Sequence, residues 1–247
     1  MRVAVYNQMF GLNGKSLFGN VIGHWAVHYQ ENPLKVSSRQ DLGATVDTIV
    51  SSDADIVGIN EILEGQEEEL KRLLSDKSYN CFFGMGHRTK YSNLCVQNAI
   101  ASRMKGERFY CSEFPVEKGI GGGGGFVSSF NDDLNLTAVN VHMAHSKRDR
   151  LYESQMEYLH DYLGPIINSG DPIILMGDFN KSYDELKEEF RNFELASFCL
   201  KSCSTTPVLK WFVNKDVDHI FVRGFEVDGC GVIEGRSDHR LVWGDLG

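Results

Sequence analysis

The sequence predicts an α/β domain built on a mixed β-sheet. Short apolar, β-branched runs recur along the chain, and segments with helical spacing separate several of them. Between Cys95 and Val141, strand-like runs follow one another with little helix, the pattern of local antiparallel hairpins. A chain of 247 residues with 42% hydrophobic and 11% aromatic content can bury a full core, so residues 1–247 are expected to form one domain.

The expected strands are Val3–Tyr6, Asp55–Ile59, Asn98–Ser102, Leu136–Val141, Pro172–Met176, His219–Val222 and Leu241–Trp243. The expected helices are Asp41–Ser51, Gln66–Leu74, Asp149–Leu163 and Tyr183–Phe193, the last with Ser182 and Glu185 spaced as a capping box. Two segments interrupt the pattern. Residues Gln8–Lys35 form a long insertion carrying Phe10, Phe18, Trp25 and Tyr29; it reads equally as a surface excursion or as one wall of a substrate cleft. The run Gly121–Gly125 is followed by no Gly-Lys-Ser/Thr, so it reads as a flexible hairpin turn rather than a phosphate loop.

Composition narrows the function classes. The net charge of -9 lacks the basic footprint of a protein that tracks nucleic acid by neutralising phosphates, although a local cluster can still hold one. Six scattered cysteines resemble no disulfide framework, and Cys199 and Cys203 have no nearby His to complete a zinc pattern. The start runs directly into strand-like sequence, and no window approaches the roughly 20 apolar residues of a membrane span. A cytoplasmic protein without an obligate protein partner is expected.

Polar residues at strand ends carry the chemistry. Val3-Ala-Val-Tyr ends at Asn7, Ile56-Val-Gly-Ile-Asn at Glu61, Leu136-Thr-Ala-Val-Asn-Val at His142, and Ile173-Ile-Leu-Met-Gly at Asp178-Phe-Asn180. Asp218 opens a further apolar run, and Ser237-Asp238-His239 precedes the last one. If those final two strands run antiparallel to the others, every one of these groups gathers at one edge of the core. A single Asp or Asn after a strand is usually a turn or cap, and a single His is usually structural. Together, carboxylates, imidazoles and amides match what phosphoester hydrolysis needs: oxygen ligands for a hard cation, a base for water and donors for phosphate oxygens.

At these residues the chain resembles the endonuclease/exonuclease/phosphatase superfamily, which includes DNase I, AP endonucleases, neutral sphingomyelinases and inositol polyphosphate 5-phosphatases. Gly177-Asp178-Phe179-Asn180 followed by Ser237-Asp238-His239 is the most specific part, and the blocks from Asn7 onward keep the family's order. The resemblance implies two stacked mixed β-sheets flanked by helices, a DNase I-like four-layer sandwich, and a magnesium-dependent phosphodiesterase or phosphatase in which manganese can substitute. It makes Glu61 the principal metal ligand with Asn7 and Asp238 in or beside the site. Asp178 would orient or deprotonate the attacking water, with Asn180 beside it, and His239, held by Asp218, would bind the phosphate opposite His142. Asn98, Arg148 and Arg150 are candidate substrate contacts; Lys147–Arg150 reads equally as a solvated helix start. Asn60 stands where the family usually has Gln, and His142 where AP endonucleases carry Tyr. The substrate stays open between nucleic acid, phospholipid and a small phosphoester. An inactive binding scaffold, the alternative from another class, would be expected to have lost Glu61, Asp178 or His239, and none is lost.

Overall fold

A computed structural model describes residues 1–8, 41–84, 87–88, 95–114, 125–144, 149–197 and 216–247. The insertion beyond Gln8, Gly121–Gly124, Lys147, Arg148, Cys199 and Cys203 lie outside the described residues.

The first sheet grows from β1 (Arg2–Asn7), whose near-continuous burial fits its Val-Ala-Val-Tyr sequence. Helix α1 (Leu42–Ser51) begins at Asp41, whose carboxylate accepts the Ala44 N–H at 3.0 Å. It returns the chain to β2 (Ile56–Leu63), which lies parallel to β1. Helix α2 (Glu67–Ser75) starts with three glutamates against its positive end and buries only Leu70 and Leu74. Strands β3 (Asn80–Phe83), β4 (His87–Arg88) and β5 (Cys95–Ser102) follow, with β5 antiparallel to β2, β3 and β4.

The second sheet takes β6 (Glu107–Glu113), β7 (Gly125–Asn131) and β8 (Leu136–His142) as an antiparallel meander. The long helix α3 (Asp149–Ser169) leads to β9 (Ile173–Asp178), parallel to β8. After the short helix α4 (Tyr183–Leu186) come β10 (Glu194–Leu195) and β11 (Asp218–Arg223), in the order β10-β11-β9-β8-β7-β6. The chain ends in the hairpin β12 (Val227–Ile233) and β13 (Leu241–Leu246), which completes the first sheet as β12-β13-β1-β2-β5-β3 with β4 beside β5.

Three clusters cement four layers. Val46, Ile49, Ile59, Ile62, Leu70 and Leu74 join α1 and α2 to the outside of the first sheet. Val3, Val5, Ile56, Ile174, Met176 and Ile220 fill the space between the sheets. Tyr152, Met156, Leu159, Leu163 and Phe221 join α3 to the outside of the second. The fold is therefore two stacked mixed sheets flanked by helices, as the resemblance implies.

Differences from the sequence reading have local causes. Helix α3 passes Leu163 and runs through Pro165, because Ile166 and Ile167 continue its apolar stripe onto the core. Helix α4 is far shorter than Tyr183–Phe193: Glu185 accepts the Ser182 N–H at 2.8 Å as the capping box requires, but Phe190 then turns inward onto Phe221, ring centres 4.6 Å apart. Strands β3, β6, β7 and β12 went unread because polar or glycine residues break their apolar runs.

Gly177 is the tightest point of β9, with φ of 148° and a position where a Cβ would stand 2.0 Å from the Val141 carbonyl oxygen. Gly177→Ala should destabilise the protein by about 3 kcal/mol or more, since the Val141 backbone must move and the positive φ is strained for alanine. Urea unfolding of the variant checks this; a midpoint unchanged from the parent would contradict the packing described.

Candidate functional site

Strand direction assembles the site. In the second sheet His142 pairs with Asp178 across the parallel β8 and β9, while Asp178 pairs with Asp218 across the antiparallel β9 and β11. In the first, Asn7 pairs with Asn60, the residue before Glu61, and β13 runs antiparallel to β1. Asn7 Nδ2 donates to Asp178 Oδ2 at 3.0 Å and so joins the two sheets at this rim. The condition for one shared edge is met: β11 and β13 both run against their neighbours.

Glu61 owes its placement to a β-bulge. Ile59 pairs with Ala99 and Ile62 with Gln97, so Asn60 and Glu61 together face the single residue Asn98. In unbroken alternation Glu61 would point into the helix-side core beside Ile59; the extra residue gives that side to Ile62 instead. Glu61 takes φ of 59°, a conformation costing a non-glycine residue on the order of 1–3 kcal/mol. Its side chain is 15% exposed, and among the described residues His142 Nε2, at 4.0 Å, is its nearest basic group.

Asp178 ends β9 and folds the chain back over itself. Its Oδ1 accepts the Asn180 N–H at 2.9 Å, which lets Asn180 adopt φ of 53° as Asn tolerates. Asn180 Nδ2 then donates to the Met143 carbonyl at 2.9 Å. His142 Nε2 lies 3.9 Å from Asp178 Oδ2, so this imidazole stands between Asp178 and Glu61. Burial and the nearby Asp218 push the Asp178 carboxyl up to about 6, against the opposing pull of His142, His239 and the Asn180 N–H.

His239 and Asp218 form the shortest contact of the group, Nδ1 to Oδ2 at 2.6 Å, with Asp218 fully enclosed. With an ionised Asp218, the Nδ1 proton is fixed on the carboxylate side and Nε2 is the ring nitrogen that can meet a substrate oxygen. Ser237 braces this loop: its Oγ accepts the His239 N–H at 3.0 Å and donates to Asp238 at 3.3 Å. Tyr6 OH in turn accepts the Ser237 N–H at 3.3 Å. Asp238, half-buried, belongs to the group through this loop.

Among the remaining expected contacts, Arg150 is exposed in the first turn of α3, and Arg148 lies outside the described residues. Asn98 is 3% exposed; its Oδ1 accepts from Asn60 at 3.1 Å and its Nδ2 donates to the Gly125 carbonyl at 3.0 Å. The sequence reading passed over Tyr6, Asn60 and Asn140 as supporting residues. The signal was present in each: a polar side chain in an otherwise apolar, buried strand must find a partner.

Glu61, Asp178 and Asp218 place three carboxylates beside two imidazoles. Asp178, Asp218 and His239 alone bring their ligand-type atoms within 4.8 Å of one another. Such crowding leaves an excess of negative charge in a half-dry site, a setting suited to a divalent cation.

Comparison with known proteins finds the same fold elsewhere. A crystal structure of an endonuclease/exonuclease/phosphatase from Beutenbergia cavernae DSM 12333 superposes with a TM-score of 0.71 at 16% identity, over 100% of this chain and 71% of that one. A mannosyl-6-phosphatase of Bacteroides thetaiotaomicron VPI-5482 gives 0.68 at 19% identity, over 100% and 99%. Truncated Caenorhabditis elegans TDP2 gives 0.66 at 15% identity, over 99% and 96%. At these identities the likeness establishes the fold. No curated protein matches by sequence. The model of the Endonuclease/Exonuclease/phosphatase family matches residues 31–239, and the chain belongs to that family, one of phosphoester hydrolases.

Proposed function

We propose that this protein hydrolyses phosphoester bonds with the help of a divalent cation, magnesium or manganese. The observation that carries the reading is the close set of Asp178, Asp218 and His239, faced by His142 and by Glu61 on the other sheet. The donor set fits a hard cation: Glu61 and Asp238 offer carboxylate oxygens and Asn7 an amide oxygen, with no thiolate among them. When bound, the cation would supply Lewis-acid stabilisation of charge on the phosphoryl oxygens.

The chain's own residues divide the remaining work. Asp178, with its carboxyl held near the working pH, accepts a proton from the attacking water at Oδ2, the oxygen that Asn7 Nδ2 also touches. His239, its Nδ1 tied to Asp218, presents Nε2 to a phosphate oxygen, and His142 meets the phosphate from the other side. Asn180, fixed by its turn, orients the water or a phosphate oxygen. The new P–O bond forms as the ester P–O bond breaks, and the leaving oxygen gains a proton.

The test is a panel of plasmid DNA, single-stranded oligonucleotide, sphingomyelin, phosphoinositide, sugar phosphate and a generic phosphodiester, each with and without magnesium. At least one should be hydrolysed, and chelation should abolish that activity. Activity that survives exhaustive chelation, or that zinc alone restores after it, would overturn the cation assignment.

Asp178→Asn should lower kcat by about 10²–10⁴-fold with little change in KM, because general-base help acts in the transition state. Asp218→Ala should also slow turnover, with a crystal structure showing a displaced His239 ring; a normal rate with an unmoved ring would remove Asp218 from this role.

Asp178 also links pH to stability. Its carboxyl titrates higher in the folded protein than the 3.8 of a free aspartate, so its stabilising share is complete below about 3.8 and is lost as pH rises through about 6. The metal-free Asp178→Asn protein should therefore melt above the parent at pH 7, and the gap should close on acidification towards pH 4. Calorimetric scans across this range would refute the linkage if the gap stayed constant.

A further inference from the structure

Asn60 and Asn98 lie behind the groups that face the phosphate. Asn60 is on the face of β2 shared with Ile56 and Gly58, turned toward the second sheet. Its Nδ2 donates to the Val141 carbonyl at 2.9 Å and to Asn98 Oδ1 at 3.1 Å. Val141 directly precedes His142. Asn98 Nδ2 continues to the Gly125 carbonyl at 3.0 Å, and Gly125 is the register partner of His142 between β7 and β8. Two amides thus connect the residue before Glu61 with backbone on two sides of His142.

A second tie crosses from the opposite direction. Asn140, two residues before His142, donates Nδ2 to the carbonyls of Ile59 at 3.1 Å and Ala99 at 2.9 Å. It enters the space left by Gly58, where a Cβ would stand 2.6 Å from Asn140 Oδ1. The bonds therefore run both ways between the sheets, and all of them lie at the end that carries Glu61 and His142.

Packing does not call for these groups. Asn60 and Asn140 are 0% exposed and Asn98 3%, and among the described residues the Oδ1 atoms of Asn60 and Asn140 have no hydrogen-bond partner. A buried acceptor left unmatched opposes folding, whereas the neighbouring layer of Val3, Val5, Ile56, Ile174 and Met176 incurs no such cost. Hydrogen bonds have what apolar contact lacks, a defined direction and length. Here they act on the two strand ends whose side chains approach to 4.0 Å across the rim.

We propose that Asn60 and Asn98 are positioning residues, an amide latch between the two sheets that sets the separation of Glu61 from His142. The proposal rests on the reading of Glu61 as a ligand of the cation and of His142 as a contact to the phosphate. It gives the bulge in β2 a second consequence: the extra residue that turns Glu61 to the rim leaves Asn60 facing inward, where it can reach Val141. Asn98 acts on the reaction through its neighbours, since both ends of its amide are engaged within the protein.

The test compares Asn60→Leu and Asn98→Leu with the parent; both keep the branched shape of the side chain while removing the amide. In metal-free crystals the Glu61–His142 separation should lengthen beyond the parent's 4.0 Å. Manganese affinity by calorimetry and kcat on the hydrolysed substrate should each fall by about 10–100-fold, as for residues that orient ligands from behind. KM should stay within about threefold, which separates misplaced groups from lost substrate contacts. The double variant should be more impaired than either single one, because each single variant retains one bond across the sheets, Asn60 to Val141 or Asn98 to Gly125. Parental separation, manganese affinity and kcat in both folded variants would overturn the latch. Should the leucine variants fail to fold, Asn60→Ser and Asn98→Ser take their place under the same criteria. If the parent itself neither binds manganese nor hydrolyses any substrate, the functional reading fails, and the crystallographic separation alone decides the latch.

Discussion

Two sheets pressed face to face impose the constraint from which the rest follows. Val3, Val5 and Ile56 of one sheet meet Ala138, Ile174, Met176 and Ile220 of the other in a dry layer. Aligned sheet packing fixes the relative height of strands that are far apart in sequence. Once β1 and β2 are parallel in one sheet and β8 and β9 in the other, four carboxyl ends share a rim without any loop having to place them. Asn7, Glu61, His142 and Asp178 are therefore carried by strands, which hold side chains more rigidly than loops do.

This rim is expensive for the fold. Asp178 is buried beside Asp218, Glu61 and Asn180 hold positive φ, and Gly177 packs against the Val141 backbone. Each departs from what local stability favours, and all lie within a few residues of one another at the ends of β2 and β9. The surrounding apolar clusters, from Ile59 on one side to Phe179 and Phe221 on the other, hold this arrangement in place. Accumulated negative charge is itself informative. Among the described residues the rim crowds carboxylates and pairs Asp218 closely with an imidazole, a setting that suits a cationic partner.

Support behind the rim differs between its two halves. The Ser237–His239 loop is braced by short-range bonds within itself and by Tyr6, which reaches it from the next strand in the sheet. Glu61 is held through its carbonyl by Gln8 Nε2 at 3.3 Å, and its strand is joined to that of His142 by the amides of Asn60 and Asn140, which reach the Val141 and Ile59 carbonyls. One half is set by a loop's own hydrogen bonds and the other by contact between sheets.

The sequence by itself determined the fold class and most of the rim. Apolar runs such as Val3–Tyr6 and Ile173–Met176 are strands almost wherever they are put, because both faces demand burial, and the polar residue closing each run marks its end. Ser182 and Glu185 signal a helix start by a contact three residues apart, which needs no tertiary knowledge, but the early stop of α4 depended on Phe190 finding Phe221. Strands β6 and β12 stayed illegible because their mixed polarity comes from edge positions, where one side is open. Only the tertiary structure decided that Asn7 touches Asp178, 171 residues away, that Asp218 meets His239, and that Asn98 is enclosed between sheets. The reason is one of range: hydrophobic periodicity reports what a residue needs from its surroundings, while register and sheet packing determine which distant residue supplies it.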